Sequence, residues 1–439
     1  MATKVQIKNE KYMPWGGIYF VIGEFLRYAH VIDGHLGLRS QTVGYQYSEI
    51  CAAMLCNFSC GGDRTEDINT IREQIKYKPG LKLCSPDTVL RGLSELAVDD
   101  ITYTSEKGVA YRFNTADRLN GLLMKMAVAT GMVVRGREYD FDYDNEYLAS
   151  ETYDAIQTYK GMRGYSPGCA VLTDPATGQD CIVGIENRDG NAAVKFHQED
   201  TMERILLNVF EPGTRIRHAR VDCGSYCEKV IDLLLAHSRK IFVRAEMSPS
   251  LRSRLQEPQA WRKTEVNGQQ MEVTSVAFDG FGGKYVNLRL VVQRQRKEGE
   301  LDLFDECGQD DGYVYRAILT NEKRMTEEEV IDFYNQRGAK EKVFDQMDND
   351  FGWHYLPKSL LKENTVFLLL TAMLRNFYRW LLQNEALRAF GIYCTTRMKA
   401  FTAKVVTVVA KWTRGGRRDF LNLYTPHVEA YQALYADYG

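Results

Sequence analysis

The sequence predicts an α/β protein: a core of alternating strands and helices with a β-rich insertion, flanked by helical N- and C-terminal regions. Three observations carry this expectation. Residues 1–125 are dominated by helical periodicity. Near residue 133 the pattern changes to the two-residue alternation of strands, interleaved with helices. Residues 245–322 then bring strand-like runs that break this alternation, before a helical pattern resumes near residue 326.

In the N-terminal region, YSEICAAMLCNF and TEDINTIREQI have helical spacing. CSPDTVLRGLSELA opens a helix with Ser85 as N-cap and Pro86 in its first position. VVRGREYDFDYDNEYL alternates as a strand and puts Asp140, Asp142 and Asp144 on one face. GCAVLTDPATGQDCIVGIENRDG reads as two strands joined by an Asp-Pro-Ala-Thr-Gly turn, a hairpin. TMERILLNVF is a helix, and RIRHARVDCGS is a strand ending at Asp222 and Gly224. YCEKVIDLLLAHSR is a second helix and KIFVRAE a further strand. His218 reads as a strand histidine rather than a ligand. The order β-β-β-α-β-α-β, followed later by a helix, is that of a ribonuclease-H-like domain, one α/β arrangement among several.

The insertion begins polar and basic, SPSLRSRLQEPQAWRKTE, and continues as MEVTSVAF, YVNLRLVVQRQ and GYVYRAILT. Thr326 and Glu329 form a capping box, so a helix starts there. Within that helix, YNQRGAKEKVFDQMDND places Tyr334, Arg337, Glu341, Asp345 and Asp348 inside roughly an 80° arc, at about 100° per residue. Phe333, Val343, Phe344 and Met347 fall on a neighbouring apolar arc. From residue 357 the chain reads as helical and becomes basic. Arg397, Lys399, Lys404, Lys411, Arg414, Arg417 and Arg418 precede the next acid, Asp419, and alternate with Phe401, Trp412 and Phe420. Such a stretch is either solvated surface or a phosphate-contacting segment.

Composition narrows the function classes. A length of 439 residues allows about two to three domains, and 44% hydrophobic content argues against global disorder. A net charge of -2 gives no overall pull toward a polyanion, so a nucleic-acid surface has to be a local patch. The ten cysteines are irregularly spaced and no apolar leader follows Met1, so reduced thiols in a cytosol are expected. Cys51, Cys56, Cys60 and Cys84 contain no C-x-x-C pair and read as buried thiols rather than metal ligands. Arg375, Asn376 and Arg379 interrupt TVFLLLTAMLRNFYRWLL, which makes it a buried helix rather than a membrane span. No G-x-S-x-G or P-loop motif supports a hydrolase of another class.

Three acids stand out by position: Asp142 in the first strand, Asp222 at the end of a later strand and Glu341 on the helix. If the two strands are neighbours and the helix crosses them, the carboxylates converge and repel unless hard cations lie between them. Oxygen-rich sites of this kind hold Mg²⁺ or Mn²⁺. Two such ions, about 3.5–4 Å apart, activate a water or 3′-hydroxyl and stabilise the departing oxygen of a phosphodiester.

On these residues the sequence resembles the DDE transposases of bacterial insertion sequences, in the group with a Tyr-x2-Arg-x3-Glu-x6-Lys signature. YNQRGAKE matches its first three positions with Tyr334, Arg337 and Glu341. DFDYDN resembles the first acidic strand and RVDCGSYCEKVIDLL the Asp-x-Gly motif. FGWHYLPKSLLKENTVFLLLTAMLRNF and MKAFTAKVVTVVAKWTRGGRRDFLNL resemble the segments that follow, and the likeness runs from HVIDGHLGLRS to near the C-terminus.

The resemblance implies a ribonuclease-H-like catalytic domain over 126–356, with its β-rich insertion at about 245–322. Residues 1–125 become a helical DNA-binding or dimerisation region, and 357–439 a helical, basic C-terminal region. It implies Asp142, Asp222 and Glu341 as catalytic metal ligands for Mg²⁺ or Mn²⁺, two ions in all. Tyr334 and Arg337 are implied at a DNA phosphate and Trp261 at a flipped base, while Lys404, Lys411, Arg414, Arg417 and Arg418 are candidate DNA contacts. The expected activity is cleavage of inverted-repeat ends and their joining to target DNA, by a homodimer with paired ends, in a bacterial cytoplasm and on the nucleoid when bound to DNA.

Two departures bear on this. The signature Lys falls at Asp348, expected to point away from the DNA path or to pair with a local Lys or Arg. The family's Asp-x-Thr is Asp142-Tyr143-Asp144 here, so Asp140 or Asp144 can substitute or assist. The alternative expectation is a DNA-binding relative with lost or altered catalysis.

Overall fold

The computed structural model describes residues 5–8, 10–40, 44–75, 81–158, 161–257, 260–297 and 311–436. The chain divides into two compact units, one of residues 134–147 and 166–344, the other of residues 1–133, 148–165 and 345–439. Part of the expected insertion, residues 298–310, lies outside the described residues.

The first unit is built on a mixed sheet. Its elements in chain order are β1 (Glu138–Asn145), β2 (Gly168–Thr173), β3 (Asp180–Arg188), α1 (Gln198–Phe210), β4 (Arg215–Val221), α2 (Glu228–His237), β5 (Ser238–Ala245) and α3 (Pro249–Gln256). They continue as β6 (Arg262–Val266), β7 (Gln269–Ala277), β8 (Arg289–Arg296), β9 (Tyr313–Thr320) and α4 (Glu327–Asn335), and α5 (Ala339–Asp350) begins in this unit and passes into the other at Asp345. Within the unit the strands lie in the order β3-β2-β1-β4-β5-β9-β8-β7-β6. β1 and β4 are parallel, as are β4 and β5. Each parallel return needs a crossover, which α1 and α2 supply. The expected hairpin is β2–β3.

β1 follows its alternation. Tyr139, Phe141 and Tyr143 are buried on one face, and the three aspartates lie on the other. The parallel register sets Asp142 beside Arg220 and Tyr143 beside Val221. On the far side of β4, Phe242 lies beside Arg220 and Val243 beside Val221.

The insertion strands extend this sheet antiparallel through β9. The polar, basic start of the insertion contains α3 and β6. Val330, Ile331 and Tyr334 of α4 pack on Phe242, Val273, Val291 and Ile318.

The capping box is present: Glu329 N–H donates to Thr326 Oγ1 at 3.3 Å, and Thr326 N–H donates to Glu329 Oε2 at 2.8 Å. The single helix expected beyond it is two helices. A 3₁₀ turn, Gln336–Gly338, separates α4 from α5. Gly338 has poor helix propensity, and the neighbouring Arg337 side chain is held on β1 by Asp144.

In the second unit, helices Ile18–Leu26, Tyr47–Ser59, Pro86–Leu96 and Asp117–Ala129 come from the N-terminal region, and Leu361–Leu381 from the C-terminal region. The two stretches expected as separate flanks therefore contribute to one unit. Ser85 caps its helix, accepting from Thr88 N–H. Leu361–Leu381 is buried over most of its length, and among the described residues no helix is long and apolar enough to cross a membrane. Cys51, Cys56, Cys60 and Cys84 are buried free thiols.

Two segments depart from the helical reading of the flanks. Ile101–Thr104 and Ala110–Asn114 form a hairpin. The basic C-terminal stretch contains a second one, Val409–Gly415 with Arg418–Tyr424, closed by Gly416 at φ +63°. Gly415 still pairs with Arg418, so the turn is Gly416-Arg417; a glycine in a two-residue link between alternating runs is a hairpin signal, and here it overrides the Lys- and Arg-rich composition. Met13 bridges Ala410 of that hairpin through two backbone hydrogen bonds of 2.8 and 2.9 Å.

The capping box yields a stability prediction. Thr326→Ala should lower unfolding free energy by about 1 kcal/mol in urea titration. An unchanged midpoint and slope would show that packing alone fixes the start of α4.

Candidate active site

The three aspartates of β1 share a face, but their surroundings differ. Asp140 is buried and accepts from Arg217 Nε and Nη2 at 3.0 and 2.8 Å, with His218 Nδ1 3.1 Å away. Burial alone would raise its carboxyl, but His218 and Arg217 outweigh that and hold it below the usual range. Asp142 is fully buried and accepts from Arg220 through both oxygens, at 2.7 and 2.9 Å. Arg220 also donates to the Phe333 carbonyl of α4 at 2.9 Å and lies over the Phe333 ring at 4.6 Å. The sequence expectation placed Asp142 on a metal. In this structure it is one half of a buried ion pair, with both oxygens committed.

Asp144 stands two residues further along β1, as Asp222 stands two residues beyond Arg220 on β4. The register therefore carries these two acids, not Asp142 and Asp222, to the same level at the strand ends. Burial pushes the Asp144 carboxyl above the usual range; Arg337 offsets part of this and the Asp222 charge adds to it. Asp222 begins the turn Cys223–Ser225, and its Oδ1 accepts from the Ser225 N–H and hydroxyl, each at 3.2 Å. Buried Gln198 in turn donates to Ser225 Oγ at 2.7 Å. Oδ2 of Asp222 has no hydrogen-bond partner among the described residues.

Arg337 donates from Nη1 to Asp144 Oδ2 at 2.7 Å. Burial would lower its pKa, but the Asp144 charge more than reverses this and raises it. Tyr334, expected at DNA, is a core residue here: it is buried, and its hydroxyl donates to the Val221 carbonyl at 3.2 Å.

Glu341 is exposed on the first turn of α5. Among the described residues, no three His, Cys, Asp or Glu side chains gather as a metal-holding group. The structure thus brings Asp144, Asp222 and Arg337 together and leaves Glu341 apart.

Asp348 is half-buried and has no ion pair among the described residues. Arg397, a local cation that could have paired with it, binds Asp345 and Asp350 instead.

Of the expected DNA contacts, Trp261 precedes β6 with Arg294 stacked over its ring at 4.1 Å and the Tyr315 ring 6.0 Å away. Lys404 is exposed and donates to the Gly391 carbonyl at 3.3 Å. Lys411 pairs with Glu10 at 3.0 Å. Arg414 approaches Asp419 at 3.9 Å. Arg417 and Arg418 are exposed at the hairpin turn, with no acid partner among the described residues.

A family model described as a transposase DDE domain matches residues 133–377, more than half of the chain. None of the curated proteins matches. Among solved structures the chain is similar to a piggyBac transposase, determined by cryo-EM as a synaptic complex with hairpin DNA. Sequence identity is 11% and the TM-score 0.41, over 89% of this chain and 79% of that one.

The different surroundings of Asp142 and Asp144 can be tested by stability alone. Asp142→Ala leaves Arg220 buried without its partner and should cost about 3–5 kcal/mol. Asp144→Ala also leaves a largely buried arginine without its partner, but it removes a like charge from Asp222 and both groups keep some solvent contact, so its cost should be smaller, on the order of 1–2 kcal/mol. Equal losses in urea unfolding would erase this distinction.

Proposed function

The chain belongs to the transposase DDE-domain family, and on that premise we propose that it is a transposase that cleaves the ends of its own DNA element and joins them to target DNA. The observation that carries the reading is that Asp144 and Asp222 directly follow the last paired residues of two parallel strands, Tyr143 and Val221, with the Asp222 charge acting on Asp144 and Arg337 bound to it. The strand order β3-β2-β1-β4-β5, with its antiparallel and parallel pairings, supports a ribonuclease-H-like core extended by the insertion.

In this reading Asp144 takes the role first expected of Asp142, because Asp142 is consumed by Arg220. Two adjacent carboxylates in a half-buried site suit a hard cation, and the unpartnered Asp222 oxygen fits this. Asp144, Asp222 and Glu341 would hold Mg²⁺ or Mn²⁺, two ions in all, with Glu341 closing on the pair when DNA is bound. Bound there, the ions would supply positive charge for activating the attacking oxygen and stabilising the departing one.

The protein's own side chains orient the strand. Arg337 uses one nitrogen on Asp144 and offers the rest of its fork to a phosphate. Tyr334 holds the end of β4 through the Val221 carbonyl and supports that contact from beneath. Trp261, backed by Arg294, is a stacking surface for an unpaired base. Lys404, Lys411, Arg414, Arg417 and Arg418 contact DNA phosphates. A homodimer holding paired inverted-repeat ends, acting in a bacterial cytoplasm, completes the proposal. Asp348 favours a second reading, a DNA-binding relative with altered catalysis, because an acid occupies the position of the signature Lys.

The test is incubation with candidate inverted-repeat duplexes and Mg²⁺ or Mn²⁺, with strands resolved on a denaturing gel. Cleavage should be lost in Asp144→Ala, Asp222→Ala and Glu341→Ala while DNA binding persists. Wild-type rates in Asp222→Ala would refute the metal site, and wild-type rates in Asp144→Ala would return the role to another β1 acid. Binding without cleavage by the parent protein would establish the second reading.

The hairpin has its own expected outcome. The double variant Arg417→Ala/Arg418→Ala should flatten the plot of log K against log salt by about 0.9 for each phosphate that is no longer neutralised. An unaltered slope would leave the turn as solvated surface.

A further inference from the structure

Most arginines on the acidic face of this sheet are matched to a carboxylate: Arg217 to Asp140, Arg220 to Asp142, Arg337 to Asp144. Arg244 is not. It lies in β5, half-buried, and among the described residues it forms no hydrogen bond or ion pair with an acid. Burial, and the nearby charges of Arg316 and Arg337, press its guanidinium below the ordinary arginine range. An uncompensated cation in such surroundings costs stability.

The register says where this charge points. Asp142, Arg220 and Phe242 are level across β1, β4 and β5. Two residues on, on the same face, come Asp144, Asp222 and Arg244. The row thus ends in a cation next to the acid pair. The Arg244 guanidinium is 6.0 Å from the centroid of the Tyr334 ring, and that of Arg337 is 5.9 Å from it. The two arginines are gathered by one aromatic ring whose hydroxyl is fixed to the end of β4.

We propose that Arg244 binds a phosphate of the DNA strand being cut, working with Arg337 as a pair of guanidinium groups at the Asp144–Asp222 carboxylates. The proposal rests on the reading of this site as a DNA-cleaving centre. A phosphodiester supplies the negative charge that the fold withholds from Arg244. It also accepts the planar donor fork that makes arginine suited to phosphate. Arg244 is a binding and positioning residue: it carries no proton and ligates no ion.

The experiment compares the full-length parent, Arg244→Gln and Arg244→Lys on duplexes drawn from the DNA that borders the coding sequence. Each duplex is made natively and with single neutral methylphosphonates near its end. Arg244→Gln should bind the native duplex about tenfold more weakly or worse, the scale of a charged hydrogen bond. Arg244→Lys should recover part of this. At one position the methylphosphonate should weaken the parent and leave Arg244→Gln no weaker than before. Without DNA, Arg244→Gln should melt at the same temperature as the parent or higher, which a purely structural arginine would not do. Parent-like affinity in Arg244→Gln, or a loss of affinity that only accompanies a lower melting temperature, overturns the assignment of Arg244 alone. Failure of the parent itself to bind or cut any of these duplexes overturns the DNA-cleaving reading, and the phosphate assignment with it.

Discussion

The buried pair of Asp142 and Arg220 is the interaction on which the site depends. It joins β1 to β4, and through the Phe333 carbonyl it holds the end of α4 as well. Its net contribution to stability is modest, because desolvating two charges nearly cancels their attraction. Its effect on register is larger. A slip of β1 by one residue would turn every aspartate to the opposite face, and a slip of two would set the wrong acid against Arg220. With this pair in place, Asp144 comes level with Asp222, and Arg337, just beyond α4, reaches Asp144.

The distribution of charge then separates scaffold from site. Asp140, Asp142 and Glu186 are saturated by Arg217, Arg220 and Arg204. Among the described residues, the groups without such a match include one oxygen of Asp222, the guanidinium of Arg244, and Arg417 and Arg418 at the hairpin turn. An acid oxygen suits a cation, and the arginines suit phosphate.

Much of this was legible in the sequence. The order of strands and helices, the capping box at Thr326, the position of Asp222 at a strand end and the three-aspartate face follow from periodicity and local chemistry. The choice between Asp142 and Asp144 does not. Alternation gives a shared face, but which aspartate is level with Asp222 depends on pairing between strands whose partners lie 78 positions apart in sequence, a relation that local pattern does not contain. The break at Gln336–Gly338 had a signal in Gly338, outweighed by the regular spacing of Tyr334, Arg337 and Glu341. The signal of the Gly416-Arg417 turn was likewise present in the glycines but was masked by basic composition. KIFVRAE read only as a strand, and what sets Arg244 apart is that no acid among the described residues pairs with it.

The bridge between Met13 and Ala410 has a practical consequence for handling the protein. A strand at the border of a sheet offers unpaired backbone groups to any other chain. Here the stretch around Met13 and Gly16 occupies those groups beside Val408 and Ala410. Removing the stretch up to Gly17 would uncover the hairpin's border next to exposed Val409, Phe420 and Tyr424. Truncation at that end therefore trades a short leading segment for a surface prone to self-association, so expression variants are better shortened elsewhere.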